Sequence, residues 1–137
     1  MASHHVFHQH TVLVVEDEPL IRFALSDALE DEGYRVLEAS NVLEAIAILG
    51  KHSGITALIT DIDMPGALNG LDLARLVESY DKRIATLVTS GGHAMADGDV
   101  PGEGRFFSKP YRLEEILRAL ATMIVVASVP RMATARK

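Results

Sequence analysis

The chain has no cysteine. Disulfides, thiol nucleophiles and cysteine-ligated metals are therefore excluded, and the composition fits a reducing compartment. It lacks any uninterrupted apolar run long enough to cross a bilayer, and no signal-peptide-like apolar stretch stands near its N-terminus. The chain is accordingly read as cytoplasmic, with no membrane partner. Basic charge is scarce too: 13 Lys and Arg stand against 19 Asp and Glu, for a net charge of −6. The basic residues are scattered, so there is no electrostatic footprint for nucleic acid. What is present, 137 residues with 48% hydrophobic and 23% charged content, suits one domain with a substantial core and leaves no room for a second.

The ends differ from the middle. Residues 1–10 carry four of the six histidines, His4, His5, His8 and His10, before any periodic pattern begins, and read as a flexible leader. A histidine metal site is the sharper alternative, but no acidic or cysteine partner lies nearby. Residues 129–137 are basic and aperiodic and read as a tail. The folded domain is placed at residues 11–128.

Within it, strand-like and helix-like segments alternate. Residues 12–15 form a continuous apolar run, suited to a strand buried on both faces. Pro19 then opens a helix, where its missing N–H costs nothing, with Ile21, Ala24, Leu25, Ala28 and Leu29 on one face and Gly33 as the stop. Residues 35–39 predict a second strand, and Val42, Ala45, Ile46 and Leu49 a helix that stops at Gly50. A third strand covers residues 56–60. Leu73, Leu76, Val77 and Tyr80 mark a third helix, residues 84–89 a fourth strand and residues 105–107 a short fifth. Leu113, Ile116, Leu117, Leu120 and Ile124 mark a last helix running to Ser128. Met123, Val125, Val126 and Val129 add apolar surface outside that stripe, consistent with a monomer or a weak homodimer.

Strands separated by helices imply right-handed crossovers and a parallel sheet covered on both faces. The expected fold is α/β, a flavodoxin-like doubly wound five-stranded sheet of order 2-1-3-4-5. One connection breaks the pattern: residues 91–104 contain five glycines and a proline, so the helix due there is expected to be short or replaced by a loop, with at most one turn near Ala94 to Asp97.

That topology brings the ends of strands 1 and 3 together at the switch point, and with them Glu16, Asp17, Asp61 and Asp63. Carboxylates so close repel one another and call for a cation; an all-oxygen set suits Mg²⁺ or Ca²⁺, and a shallow site that keeps waters suits Mg²⁺. Lys109 brings a second positive charge from another strand end. Cations around one carboxylate stabilise a transferring phosphoryl group, which makes Asp61 the candidate nucleophile. The Ser90 hydroxyl can donate to a phosphoryl oxygen, and the Gly91-Gly92 backbone can approach an anion.

Four segments, in this order and spacing, carry a family resemblance: Val14-Val15-Glu16-Asp17-Glu18-Pro19; Ile59-Thr60-Asp61-Ile62-Asp63-Met64-Pro65 with Gly70-Leu71; Val88-Thr89-Ser90-Gly91; and Phe106-Phe107-Ser108-Lys109-Pro110-Tyr111. From about residue 11 to residue 126 the chain resembles a response-regulator receiver domain, in the form of a stand-alone regulator of two-component signalling. The resemblance implies Asp61 as phosphoacceptor, and Mg²⁺ held by Glu16, Asp17, Asp61 and the backbone carbonyl of Asp63. It further implies Ser90 as switch hydroxyl, Lys109 as phosphate partner before a cis Lys109-Pro110 bond, and Phe106 as switch aromatic. Phe106 reads equally as a static core residue. Glu16 stands where aspartate is also common, and Thr89 beside Ser90 offers a second hydroxyl.

The expected function is phosphorelay signalling, with a histidine kinase or histidine phosphotransfer protein as donor and an unknown downstream protein as target, or a role as phosphate sink. The chain is not expected to be an enzyme beyond Mg-dependent self-phosphorylation and dephosphorylation. A small haloacid-dehalogenase-type phosphatase with Asp61 as nucleophile is the alternative. It lacks metal-binding acids after Lys109 and a substrate cap.

Overall fold

The computed structural model describes residues 9–92 and 95–128. Five strands, β1 (Thr11–Val15), β2 (Arg35–Ala39), β3 (Ile55–Asp61), β4 (Ala85–Ser90) and β5 (Arg105–Ser108), form one parallel sheet in the order β2-β1-β3-β4-β5. The helices are α1 (Pro19–Asp31), α2 (Val42–Lys51), α3 (Gly70–Tyr80) and α4 (Leu113–Ser128). This is the doubly wound topology expected from the alternation of elements.

The alternation of side chains along β1 builds both layers. Val12 and Val14 pack with Leu25 and Leu29 of α1 and with Ile116, Leu120 and Ile124 of α4. Leu13 and Val15 pack on the other face with Ala45 and Leu49 of α2 and Leu73 and Val77 of α3. Large side chains such as Leu13, Leu29, Leu58, Leu73 and Leu120 are fully buried. Each contributes about 1.5–3 kcal/mol relative to an exposed position. This two-sided core holds the sheet rigid beneath its C-terminal edge.

Several expectations shift in detail. β3, β4 and β5 each run one residue further than anticipated, to Asp61, Ser90 and Ser108. Helix α2 passes through Gly50 to Lys51 and is capped at its start by Asn41, whose side chain accepts from the Glu44 N–H at 2.8 Å. In α1, Ala24 is exposed and Ser26 is buried instead. In α3 the buried stripe is Gly70, Leu73, Ala74 and Val77, and Leu76 and Tyr80 face solvent. Small residues at 70 and 74 let that face lie close to the sheet.

Between β4 and β5 the described residues contain only one 3₁₀ turn, Asp97–Asp99, so the missing helix is as expected but its turn lies later than residues 94–97. The Asp99 carboxylate accepts from Ala96 N–H at 2.9 Å, and buried Val100 anchors the segment. Residues 93–94, the histidine leader through residue 8, and the tail with Val129 lie outside the described residues. Val125 and Val126 on α4 are exposed. No helix among the described residues is long and apolar enough to cross a membrane.

Candidate functional site

Strand register assembles the site. Val15 lies opposite Ala39 and Thr60, Asp61 opposite Thr89, and Ser90 opposite Ser108. Beyond the strands the hydrogen bonding continues: Glu16 N–H donates to the Ala39 carbonyl (3.0 Å), Ile62 N–H to the Thr89 carbonyl (2.8 Å) and Lys109 N–H to the Ser90 carbonyl (2.9 Å). Glu16, Asp61, Ser90 and Lys109 therefore arrive together at the C-terminal edge, where open α/β sheets carry their chemistry.

Glu16 and Asp61 are each about 3% exposed, an unusual burial for carboxylates. Lys109 lies between them: its Nζ is 3.0 Å from Glu16 Oε1 and 3.3 Å from Asp61 Oδ2. The second Glu16 oxygen, Oε2, accepts from the Glu18 N–H at 3.1 Å. Asp61 Oδ1 is buried with no hydrogen-bond partner among the described residues. Glu16, Asp17 and Asp61 each offer a carboxylate oxygen within 4.8 Å of the others'.

The electrostatics follow from this crowding. Burial raises the Asp61 carboxyl above its ordinary range; Lys109 first, then the Asp63 main-chain N–H, oppose it only in part, and the Asp63 charge adds to the rise. Burial also raises Glu16, against the Glu18 N–H and Lys109, with the Asp61 charge adding to the rise. Burial pulls the Lys109 ammonium down, but Glu16 and Asp61 outweigh it and hold Lys109 above the usual lysine value. Tyr111 is raised by burial first and by Glu16 next. Three gathered carboxylates, of which Glu16 and Asp61 share the one ammonium of Lys109, leave negative charge that a hard cation fits. The donors are all oxygen, as Mg²⁺ prefers.

Four other expectations can be located. The Ser90 hydroxyl is fully buried and donates to Asp63 Oδ2 at 2.6 Å, while the Gly92 N–H donates to Ser90 Oγ at 3.0 Å. The Asp63 side chain is thus directed to Ser90 and does not join the acidic group of Glu16, Asp17 and Asp61. Phe106 is half-buried against the small cluster of Ile62, Ala74, Val88 and Val100, and its N–H donates to the Asp97 carboxylate at 2.9 Å. The Lys109-Pro110 peptide is cis.

Two supports were not legible in the sequence. The Arg22 guanidinium donates to the Glu16 carbonyl at 2.8 Å and to Glu38 at 2.9 Å, which fixes the chain at the start of the acidic turn. Gly70 meets the main chain of the phosphoacceptor candidate so closely that a Cβ there would overlap the Asp61 carbonyl oxygen. Its N–H donates to the Ile62 carbonyl at 3.2 Å, closing the loop that follows Asp61. Gly70-Leu71 was visible as part of a motif, but its reason, a backbone contact across nine positions, requires the fold.

Comparison with known proteins identifies the family and the fold. The family model of the response regulator receiver domain matches residues 12–121. The receiver protein CpdR of Brucella abortus is 31% identical over 119 residues, covering 85% of this chain and 98% of that one. Among solved structures, a receiver protein of Sinorhizobium medicae superposes with a TM-score of 0.82 at 21% identity, over 88% of this chain and 98% of that one, a likeness of fold. TrrA of Thermotoga maritima, solved with Mg²⁺ and beryllium fluoride, gives a TM-score of 0.75 at 27% identity, over 84% of this chain and 99% of that one. The chain belongs to the response-regulator receiver family, the signalling module of two-component phosphorelays. Nothing favours the phosphatase alternative: the acids gathered at Asp61 precede it in the chain, and none comes from beyond Lys109.

Proposed function

We propose that Asp61 accepts a phosphoryl group from a phosphohistidine of a histidine kinase or a phosphotransfer protein. The observation that carries this reading is the state of its two oxygens. Oδ2 is held by Lys109, and Oδ1 is a buried acceptor without a partner among the described residues. An unpaired carboxylate oxygen at the rim of a rigid sheet is a poised nucleophile. In the transfer, an Asp61 oxygen forms a bond to phosphorus, the phosphorus–nitrogen bond of the donor breaks, and its electron pair stays on the imidazole nitrogen.

Glu16, Asp17 and Asp61, with the main-chain carbonyl of Asp63, are the residues that would hold Mg²⁺. Bound there, the ion supplies positive charge against the phosphoryl oxygens. Lys109 supplies a fixed charge from the other side, and its two carboxylate contacts orient it before the donor arrives. The Ser90 hydroxyl, once it leaves Asp63, and the Gly91 amide offer hydrogen bonds to a phosphoryl oxygen. Movement of Ser90 towards that oxygen shifts the start of the segment leading to β5, against which Phe106 packs. The signal is read by a partner protein as a change of population between two surface states.

The test is incubation with acetyl phosphate, or with beryllofluoride, in the presence of Mg²⁺. The wild-type chain is expected to gain one phosphate, or to bind the mimic, and Asp61→Asn to do neither. A wild type that does neither, or an Asp61→Asn variant that still gains the phosphate, refutes the assignment.

A further inference from the structure

We propose that the Asp63 carboxylate is a positioning residue that competes with the phosphoryl group for the single hydroxyl proton of Ser90, and so holds the site in its unphosphorylated form. The inference rests on the reading of Asp61 as phosphoacceptor. It starts from a hydrogen-bond count. A serine hydroxyl has one proton to donate. In this structure the Ser90 donor contact is to Asp63 Oδ2, at 2.6 Å, short as charge-assisted bonds are. The oxygen's acceptor side takes the Gly92 N–H at 3.0 Å.

A phosphoryl oxygen on Asp61 needs that same proton. It can have it only if the hydroxyl leaves Asp63, because the proton cannot serve two acceptors at full strength. The Gly92 amide is tied to the hydroxyl oxygen, so the exchange also moves the first residues after β4. Asp63 is well placed to resist it: its carboxylate oxygens stand 3.8–3.9 Å from where a side chain at Gly92 would begin, against the backbone that has to move. Ser90 is fully buried, and a buried hydroxyl deprived of an acceptor is costly. Asp63 is itself exposed, which weakens the bond by solvation. The net effect is therefore placed at the low end for a charged hydrogen bond, about ten-fold in an equilibrium constant.

Removing the Asp63 charge also relieves its repulsion of any anion at Asp61, so a single variant does not isolate the contact. A double-mutant cycle does. Beryllofluoride affinity in Mg²⁺ is measured by calorimetry for wild type, Asp63→Ala, Ser90→Ala and the double variant; the Asp63 main-chain carbonyl is present in all four. Asp63→Ala is expected to tighten binding about ten-fold more in the wild-type background than in the Ser90→Ala background, where only the relief of repulsion remains. Equal tightening in both backgrounds, or none in either, overturns the proposal. If no protein binds the mimic, the reading of Asp61 fails, and a second measurement on the free protein still decides the clamp. The Ser90 hydroxyl proton is expected as a slowly exchanging, downfield proton resonance in wild type that is lost in Asp63→Ala. Its absence from wild type, or its persistence in the variant, refutes the clamp whatever Asp61 does.

Discussion

Replacing Asp61 by Asn is expected to stabilise the metal-free protein, although it removes the proposed phosphoacceptor. The Asp61 carboxyl is raised above its ordinary value of 3.8, burial being the main cause. The folded state therefore binds this proton more tightly than the unfolded state, and stability falls as pH rises from the unfolded pKa through the folded one. At neutral pH the ionised group is a net burden. Its Oδ1 is a buried acceptor with no partner among the described residues, a condition that costs about 1–3 kcal/mol. Against this stands the weakening of the Lys109 contact. That pair is long, 3.3 Å, the ammonium keeps Glu16 at 3.0 Å and is one-fifth exposed, and an amide oxygen can still accept from it. The loss is about 1 kcal/mol. The balance is a gain of about 1 kcal/mol, or about 4 °C in Tm for a domain of this size. Urea unfolding followed by circular dichroism in EDTA measures it. The advantage of Asp61→Asn should be full at pH 7–8 and shrink as pH falls towards 4, where the wild-type carboxyl takes up its proton. Millimolar Mg²⁺ should narrow or invert it, because a ligand that binds only the folded state stabilises wild type more than a variant with a poorer site. An Asp61→Asn protein that is less stable than wild type in EDTA at pH 7, or a difference that does not vary with pH, refutes the account of the site as a charge-strained pocket.

Two further substitutions probe the supports of Asp61. Lys109→Met leaves Glu16 and Asp61 buried without their shared cation; uptake of a proton by one of them moderates the cost to about 2–3 kcal/mol at pH 7. That deficit should lessen at pH 5, because both carboxyls are already raised and rise further without the ammonium, so urea curves at the two pH values check the sign. Gly70→Ala adds a Cβ into the Asp61 carbonyl oxygen. Overpacking against backbone should outweigh the roughly 1 kcal/mol that alanine contributes to a helix, for a net loss of about 2 kcal/mol. A Tm at or above that of wild type would show that the Asp61–Gly70 loop yields freely.

The parts of this molecule that were legible in its sequence are those set by local pattern. The apolar run at 12–15 marked the central strand because a strand covered on both faces has no polar side to show. Pro19, Gly33 and Asp61 marked where elements begin, stop and expose chemistry, each through its own backbone or charge preference. The rotation of α3 was less legible. Leu76 and Tyr80 satisfied the same helical spacing as the residues that pack, and only the close approach at Gly70 and Ala74 chose between the faces. The turn before β5 moved for a similar reason, since the Asp99 bond to Ala96 and the burial of Val100 are tertiary facts.

At the site the same division separates composition from connection. The sheet topology was enough to bring Glu16, Asp17, Asp61, Ser90 and Lys109 to one edge, because register follows from strand order and length. Whether the hydroxyl of Ser90 points at Asp61 or at Asp63 depends on an ångström-scale choice between two carboxylates two residues apart. No spacing rule distinguishes them. That choice also sets the direction of the coupling. If Asp63 holds the hydroxyl before phosphorylation, the energy of that bond is subtracted from the response, and the strength of the signal at a given phosphate level is set by a residue that need not touch the phosphate. On that proposal, substitution at position 63 tunes the switch while Asp61, the carboxylates of Glu16 and Asp17, and Lys109 stay in place, so the proposed division leaves the equilibrium to the carboxylate at 63 and the chemistry to Asp61.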